Sequence, residues 1–266
     1  MGITISIINN KGGVGKTALA CNLGAALSRM KQKVLIVDND PQSNASVNIL
    51  QGSSADQKCT LYELLDPDNK NDAPLKDCIY LSPQQKNLYC LPNVRATSGL
   101  DMELVSNYPA SLNILRNKLK DYAEKTFDFT IIDTPPNIGI FTTIALCTSQ
   151  FVIVPIDSSA ADSLDGLQEA LNLVDSVRKT DNPDLKFLRL LINRVHGHKT
   201  ICKVIIEDIR KRFTTSQRFE TMIPDATSIQ QAVYMRETIF TTNRTCKAAR
   251  SFRNLAKELV TIIEEL

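Results

Sequence analysis

An eight-residue segment near the start of the chain has the composition of a phosphate-binding loop. Residues 10–17 read N-K-G-G-V-G-K-T and stand between an apolar run, 3–8, and a helix-like stretch, 17–30. Glycines allow a tight turn in which several backbone N–H groups converge on phosphate oxygens. The positive end of the following helix favours the same anion. The pattern predicts nucleotide binding, with Lys16 on the β- and γ-phosphates and the Thr17 hydroxyl on magnesium.

Two carboxylate-bearing segments follow strand-like apolar runs and could complete such a site. Residues 34–38 lead into V-D-N-D-P-Q-S-N-A-S, and the apolar run 129–133 ends at Asp133. A carboxylate at a strand end beside a γ-phosphate can hold the attacking water or a magnesium-bound water. An unpaired charge at the end of a buried strand is costly, and magnesium gives Asp133 a reason to be ionised. Capping of the turn ahead of a proline is the alternative role for Asp38 and Asp40.

Strand-like and helix-like segments alternate along the chain and would bring these loops to one edge of a sheet. The strand candidates are 3–8, 34–38, 88–91, 129–133, 151–155 and 187–193. The helix candidates are 17–30, 111–125, 164–179, 200–213 and 247–266. Continuously apolar strands are typical of a parallel sheet covered on both faces. We therefore predict an α/β fold, a doubly wound, mostly parallel sheet flanked by helices, with ligands at the carboxyl ends of its strands.

Length and composition favour one globular domain over residues 1–266. Hydrophobic residues make up 43% of the chain and charged residues 23%, which is ordinary for a globular protein. We expect 66–74 to be a solvated loop rather than a linker, because the alternating pattern resumes after it. No apolar run approaches the roughly 18–20 residues of a membrane span. No signal peptide precedes the first strand, which predicts a cytoplasmic protein.

The cysteines and histidines give no sign of a metal centre. The seven cysteines are scattered, odd in number and without a C-x-x-C pair, so we expect reduced thiols rather than disulfides, zinc or an iron–sulfur cluster. His196 and His198 have no nearby set of cysteines or carboxylates. We therefore interpret them as loop residues, with metal ligation as the alternative.

Positive charge is concentrated in the last third of the chain. Residues 194–257 hold thirteen Lys and Arg against five Asp and Glu, a net charge of +8 in a chain whose total is +2. A solvated charged face is the common fate of such segments, but this excess favours phosphate-backbone binding. Because few aromatic residues lie nearby, we predict non-specific duplex DNA binding. The candidate DNA-binding residues are Lys199, Lys203, Arg210, Lys211, Arg218, Arg236, Arg244, Lys247 and Arg250.

Two helices of this region have apolar stripes that we expect to pack inward. In helix 200–213 the stripe is Ile201, Val204, Ile205, Ile209 and Phe213. In helix 247–266 it is Phe252, Leu255, Ala256, Leu259, Ile263 and Leu266. Membrane binding is the alternative for the second stripe, but the acidic end of that helix and its lack of Trp disfavour it.

The phosphate-binding loop departs from the strict pattern G-x-x-x-x-G-K-[ST]. Asn10 takes the place of the first glycine, and a second lysine, Lys11, follows it. This form resembles the deviant Walker A motif of the ParA/MinD superfamily of P-loop ATPases. The segments V-D-N-D-P-Q-S-N-A-S and F-D-F-T-I-I-D-T-P-P-N-I-G resemble that family's switch I and its Walker B with switch II. With no helix-turn-helix ahead of the loop, the chain is similar to the small ParA type.

The resemblance implies a magnesium-dependent ATPase. Lys11, Lys16 and Asp40 would carry hydrolysis, and Thr17, Asp40 and Asp133 would lie at the metal. The implied nucleotide-binding residues are Lys11, Gly12, Gly13, Val14, Gly15, Lys16, Thr17, Ala18, Asn193, Pro224, Asp225 and Ala226. Asn193 would read the adenine edge, with an ordinary turn residue at a strand end as the alternative.

The resemblance also implies a cycle. Two subunits would enclose ATP between them, with Lys11 of each reaching the phosphates of the other. The ATP-bound homodimer would bind DNA non-specifically at the nucleoid, and a ParB-like, centromere-bound partner would stimulate hydrolysis and release. The implied function is plasmid or chromosome partition. A MinD-like, membrane-associated spatial regulator is the alternative, and a metabolic enzyme or a non-hydrolysing nucleotide switch is a more distant one.

Overall fold

A seven-stranded sheet forms the centre of the molecule. The computed structural model describes residues 2–52, 57–67, 74–160, 163–197 and 199–266. The strands are β1 (Ile3–Ile7), β2 (Val34–Asp38), β3 (Tyr80–Leu81), β4 (Leu88–Leu91), β5 (Phe129–Asp133), β6 (Phe151–Asp157) and β7 (Lys186–Asn193). Their order across the sheet is β3-β4-β2-β5-β1-β6-β7. All neighbours are parallel except the antiparallel pair of β3 and β4.

Helices cover both faces of this sheet. They are α1 (Lys16–Arg29), α2 (Asn44–Leu50), α3 (Leu61–Leu65), α4 (Asp101–Ser106), α5 (Ile114–Thr126), α6 (Ile140–Thr148), α7 (Ser163–Thr180), α8 (Thr200–Arg212), α9 (Thr227–Tyr234), α10 (Ile239–Thr242) and α11 (Lys247–Glu264). Helices α1, α2 and α9–α11 share one hydrophobic core, whereas α3–α8 share the other. The predicted doubly wound α/β fold is confirmed.

The strand register sets the place of the functional loops. Asp38 at the end of β2 is paired in register with Asp133 at the end of β5, and Asp133 is in turn paired with Ile7 at the end of β1. All five residues of β2 and of β5 are buried. The loops that follow β1, β2 and β5 therefore leave the sheet side by side, at the edge where ligands bind in such folds.

Some elements differ from the sequence prediction. Residues 110–113 form a 3₁₀ turn, so α5 begins at Ile114 rather than at 111. Strand β6 continues two residues further, to Asp157. Helix α6 was not predicted, because eight of its nine residues are buried and it has no polar face to give a helical period.

The predicted inward face of α8 is correct at Ile205 and Ile209 but wrong at Ile201 and Val204. Ile201 is 41% exposed and Val204 is 56% exposed. Cys202, Ile205 and Ile209 are the buried residues of this helix instead. These three residues lie at i, i+3 and i+7, which is also a helical stripe. The helix is therefore rotated about its axis relative to the predicted orientation.

Helix α11 packs into the core through its apolar stripe. Phe252, Leu255 and Leu259 are almost fully buried, and the helix lies against α1. Ile262 completes the stripe, whereas Leu266 is 74% exposed and does not belong to it. The stripe is therefore occupied by protein contacts and does not form a separate amphipathic surface. Within the described ranges, the structure contains no helix with the length and apolar character needed to cross a bilayer.

The expectation that all thiols are reduced is wrong. Cys59, just before α3, forms a disulfide with Cys78 in the 3₁₀ turn Leu75–Cys78. The two residues are separated by 19 positions, and their spacing alone does not indicate the pairing. The free thiols are Cys21, Cys90, Cys147, Cys202 and Cys246. The predicted loop 66–74 lies partly outside the described residues, which leave out 68–73.

Histidine provides no metal site in the described part of the chain. The side chain of His196 contacts Asp225, with Nε2 2.6 Å from Oδ2. His198 lies outside the described residues. Among the described residues there is no group of three His, Cys, Asp or Glu side chains placed to hold a metal ion.

Candidate nucleotide-binding site

The loop between β1 and α1 has the backbone of a phosphate cradle. Gly13 and Gly15 have φ angles of +77° and +90°, which side chains with a Cβ rarely adopt. A Cβ on Gly15 would also lie 2.6 Å from Nδ2 of Asn193. Helix α1 begins directly afterwards at Lys16 and has no side-chain cap. Its first N–H groups therefore remain available to an anion.

Lys16 lies in the middle of this loop and is nearly buried. Its Nζ donates to the carbonyl of Asn9 at 2.7 Å and to that of Lys11 at 3.0 Å. Burial lowers the pKa of Lys16, while Asp133 and Asp40 act in the opposite direction and favour the charged form. The ammonium is thus held over the loop by weak acceptors that a phosphate can replace.

A cavity of about 410 Å³ opens above the loop. Its walls come from the P-loop, the loop after β2, α2, the loop after β5 and the end of α9. The lining residues are Gly12, Gly13, Gly15, Lys16, Thr17, Ala18, Asp40, Gln42, Asn44, Asn48, Thr134, Pro136 and Val233. Lys11 does not contribute to this lining. Its Cδ and Cε instead lie 3.1 Å from the position that a Cβ on Gly166 of α7 would take.

The charged form of Asp133 is strongly disfavoured by its surroundings. The residue is fully buried, and neither carboxylate oxygen has a hydrogen bond of normal geometry. Burial raises its pKa well above the ordinary value, and Asp38 and Asp40 raise it further. The neighbouring Thr17 hydroxyl and Lys16 oppose this rise only in part. A buried carboxylate beside a threonine hydroxyl, without other partners, fits a hydrated magnesium ion between them.

Asp38 and Asp40 have different surroundings although they are two residues apart. Asp38 accepts hydrogen bonds from the backbone N–H of Ser46 at 2.7 Å and from its hydroxyl at 2.6 Å, and thereby fixes the start of α2. Burial raises its pKa to about 6. Asp40 accepts from the N–H of Gln42 at 2.9 Å and lines the cavity. Burial raises the pKa of Asp40, and Lys16 lowers it. Asp38 therefore supports the loop, and Asp40 faces the ligand space.

A second cavity, of about 270 Å³, adjoins the first. It is lined by Gly13, Gly15, Ala18, Leu19, Asn193, Arg194, Ile223, Pro224, Asp225, Ala226, Ile229, Gln230, Val233 and Phe252. Four of the predicted nucleotide-binding residues, Asn193, Pro224, Asp225 and Ala226, therefore lie around one cavity. The mostly apolar walls suit a flat aromatic ring.

Asn193 has a structural task that the sequence did not reveal. Its Nδ2 donates to the carbonyl of Val14 at 2.7 Å, and its Oδ1 accepts from the N–H of Arg194. The side chain thus braces the P-loop from the end of β7. Recognition of adenine by the remaining amide hydrogen and lone pair stays a prediction.

Arg194 is a residue of the site that sequence reasoning missed. Its Nη1 donates to the carbonyl of Gly13 at 2.9 Å and lies 3.2 Å from Oδ2 of Asp157. Its φ angle is +54°, a left-handed conformation that is uncommon outside glycine. Arg194 therefore ties the ends of β6 and β7 to the P-loop. In the sequence it was only one cation of the basic segment.

The predicted DNA-binding residues lie in two different helical layers. Lys199, Lys203, Arg210 and Lys211 belong to α8 and its start, whereas Arg236, Arg244, Lys247 and Arg250 lie around α9–α11 on the other face of the sheet. These eight side chains are exposed, and Arg218 is half-buried. Lys211 is paired with Glu207 at 3.1 Å, which reduces its net attraction for phosphate. The structure does not gather the nine residues on one helix face.

Comparison with known proteins places this site in a family. The family model described as an AAA domain matches residues 2–187. The sporulation initiation inhibitor protein Soj of Bacillus subtilis is 32% identical over 259 residues, which are 97% of this chain and 98% of Soj. The chromosome partitioning protein ParA of Myxococcus xanthus is 31% identical over 261 residues, 98% of this chain and 88% of that protein.

The fold has solved counterparts. The crystal structure of cobyrinic acid a,c-diamide synthase from Mycobacterium smegmatis with bound ADP and magnesium matches with a TM-score of 0.82. The match covers 99% of this chain and 96% of the synthase chain at 23% identity. At this identity the match shows a shared fold and nothing further. Fold and loop geometry together define a P-loop ATPase with a deviant Walker A motif. Within that class, the chain belongs to the ParA/MinD superfamily and to its ParA/Soj branch.

Proposed function

We propose that this protein is a magnesium-dependent ATPase that partitions DNA, either a plasmid or a chromosome, with residues 1–266 acting as one ATPase domain. The observation that carries the ATPase proposal is the buried Asp133 carboxylate, which lies beside Thr17 and Lys16 and accepts no hydrogen bond of normal geometry from the described residues. A divalent cation at the P-loop satisfies this charge. The partition proposal is supported by the Myxococcus xanthus relative, whose name is that of a chromosome partitioning protein.

The residues of the site divide the work between binding and hydrolysis. The P-loop N–H groups and Lys16 would hold the phosphates, and Thr17 and Asp133 would hold Mg²⁺. When bound, magnesium would neutralise phosphate charge. Asp40, at the wall of the cavity, orients the attacking water and accepts its proton. The apolar cavity beside Asn193 takes the adenine.

Lys11 acts on the nucleotide of a second subunit. Its alkyl chain lies against α7, and the residue does not line the cavity of its own P-loop. In an ATP-bound homodimer, each Lys11 reaches the partner's phosphates and neutralises charge that a single subunit leaves exposed. ATP then favours the dimer, and hydrolysis removes the charge that holds it.

The first prediction is that Lys11→Ala stays monomeric under conditions in which the parent protein dimerises. Light scattering should give twice the monomer mass for the parent with Mg²⁺ and ATP, and the monomer mass with ADP. Lys125→Ala, which removes an exposed lysine of α5, is the matched control and should behave as the parent does. A Lys11→Ala protein that dimerises on ATP at the parent's concentration would contradict action in trans.

The dimer is the form that binds DNA. Pairing of two subunits doubles the number of phosphate contacts, so that affinity rises through avidity when ATP is bound. A ParB-like, centromere-bound partner stimulates hydrolysis and thereby releases the protein from the nucleoid in the cytoplasm. Binding should therefore require ATP and fall steeply with salt. Equal retention on DNA with ADP and ATP counts against this proposal.

The second prediction separates the two basic layers. Lys247 and Arg250 lie in the first turn of α11, where no acidic residue offsets the positive helix end. Such an arrangement disfavours the helix and favours an external anion. We expect the double variant Lys247→Ala/Arg250→Ala, which removes four positive charges from the dimer, to weaken DNA binding by at least about tenfold and to reduce the salt slope by roughly 4.

The matching double variant of α8 is the comparison. Lys203→Ala/Arg210→Ala removes the same charge from the other layer, and we expect a smaller loss of affinity. Fluorescence anisotropy with random-sequence duplex DNA, measured at several salt concentrations with ATP, provides both numbers. A larger loss for the α8 pair would assign DNA binding to the opposite layer.

A further inference from the structure

The P-loop contacts helix α7 at Gly166 and Glu169. Gly166 and Glu169 lie one turn apart on α7 and therefore on the same side of the helix. Opposite them are Asn10 and Lys11, the two residues by which the loop departs from the strict P-loop pattern. This small surface, formed by Gly166 and Glu169, is called the α7 seat below.

Gly166 leaves room for the side chains of the loop. A Cβ at this position would lie 2.8 Å from Oδ1 of Asn10 and 3.1 Å from both Cδ and Cε of Lys11. These distances are shorter than ordinary van der Waals contacts. The three atoms belong to side chains, so an alanine would displace those side chains rather than the backbone of α7.

Glu169 holds the neighbouring residue. The Asn10 amide donates a hydrogen bond from Nδ2 to Oε2 of Glu169. Its Oδ1 is buried against Gly166 and accepts no hydrogen bond from the residues that the structure describes. The Asn10 side chain is therefore fixed between the carboxylate and the glycine. Lys11 follows Asn10 directly, so its path along α7 depends on this fixed neighbour.

We propose that the α7 seat positions Lys11 for its action on the partner's nucleotide: Gly166 admits the alkyl chain, and Glu169 fixes Asn10 beside it. This inference rests on the proposed function, because it concerns the lysine that acts between subunits. Gly166 and Glu169 are positioning residues and do not touch the nucleotide. The seat belongs to α7, whereas the phosphates are held by α1 and the loops after β2 and β5, so that pairing and nucleotide binding can be separated by substitution.

Gly166→Ala tests the steric half of the proposal. Alanine favours the helix more than glycine does, so thermal stability should be equal or higher. Because the displaced ammonium would no longer meet the partner's phosphates in the right place, dimerisation on Mg²⁺ and a non-hydrolysable ATP analogue should require at least about tenfold more protein, a loss of about 1.4 kcal/mol. Binding of fluorescent ADP to the monomer should stay within about twofold of the parent. Gly99→Ala is the matched control, since nothing lies within 4 Å of a Cβ at Gly99.

Substitutions of Glu169 provide a second test, which is independent of the substitution of Gly166. Glu169→Ala should weaken dimerisation, whereas Glu169→Gln keeps a carbonyl oxygen for the Asn10 amide and should restore most of it. The double variant Asn10→Ala/Glu169→Ala should be no worse than the more affected single variant, because both remove the same hydrogen bond. Additive losses would show that the two residues act separately.

The outcomes separate this inference from the proposed function. If the parent protein does not dimerise on ATP, the proposed function fails and the inference fails with it. If the parent dimerises and Gly166→Ala and Glu169→Ala dimerise equally well, only the α7 seat is refuted. Loss of ADP binding together with dimerisation would also refute it, because the substitutions would then act on the whole P-loop.

Discussion

Asp133→Asn is expected to stabilise the nucleotide-free protein and, at the same time, to reduce magnesium-dependent ATP hydrolysis by at least about a hundredfold. The carboxyl group is fully buried at the end of β5 and accepts no hydrogen bond of normal geometry from the described residues. Its neutral isostere avoids the cost of a buried charge, which exceeds the roughly 1–3 kcal/mol of an unsatisfied neutral polar group. For a chain of this size, each kcal/mol raises Tm by about 2–4 °C. The same amide cannot offer the anionic oxygen that magnesium requires.

The stabilisation should depend on pH in a defined direction. Burial raises the pKa of Asp133 well above its ordinary value. The folded state therefore binds this proton more tightly than the unfolded state, and the parent's free energy of unfolding falls as the pH rises above about 4. The advantage of Asn should be small near that pH and grow towards neutrality. Asp38, with a pKa of about 6 against an ordinary value of 3.8, adds a loss of about 3 kcal/mol over the same window in both proteins.

Denaturation melts between about pH 4 and pH 8, with and without Mg²⁺ and ADP, would measure these effects. In the parent, magnesium with nucleotide should recover the stability that the buried charge costs, and EDTA should remove it again. The variant should show no magnesium effect. Asp121→Asn, on the exposed side of α5, is the control for the removal of one charge. A variant that melts below the parent at neutral pH would show that the carboxylate is satisfied in solution.

The P-loop and the switch segments could be predicted because their geometry is local or follows from the sheet. Gly13 and Gly15 occupy left-handed positions that the run of glycines indicated. Asp38 and Asp133 end neighbouring parallel strands, so their proximity followed from the predicted topology. Asn193 and the segment 224–226, which were predicted together as nucleotide-binding residues, line one cavity, and its occupation by a base stays a prediction. In each case a short motif is sufficient to define the arrangement.

The features that were missed depend on contacts between distant segments. Arg194 reaches Gly13 and Asp157, which are separated from it by 181 and 37 positions, and no local pattern marks such a tie. The rotation of α8, with Val204 outside and Cys202 inside, depends on its neighbours, because several of its faces are apolar. Cys59 and Cys78 are 19 positions apart, and no spacing motif marks them as a pair. Tertiary packing decided all three.

Asp40→Ala is expected to reduce ATP hydrolysis by about a hundredfold or more while ATP binding remains. Asp40 lines the phosphate cavity, and it is the carboxylate there that is free to hold water, since Asp38 is occupied by Ser46. Loss of the charge that orients and deprotonates the water removes a general base, worth about 10²–10⁴ in rate. The triphosphate is no longer repelled by this carboxylate, so its affinity should be equal or higher. The ATP-bound dimer, and with it DNA binding, should then persist far longer than in the parent.

The Asp40→Asn variant tests whether hydrolysis depends on the charge of residue 40 or on its support of the loop after β2. The amide keeps Oδ1 for the hydrogen bond from the Gln42 N–H, so that the loop after β2 should stay in place. If the charge is what matters, both variants lose hydrolysis to a similar degree, as measured by phosphate release under single-turnover conditions. If only Asp40→Ala is impaired, the residue supports the loop and another group activates the water.

Since burial raises the pKa of Asp40, the parent's activity should also decline on the acid side at a higher pH than an exposed aspartate would give. Neither variant should show that decline, because the titrating group is absent.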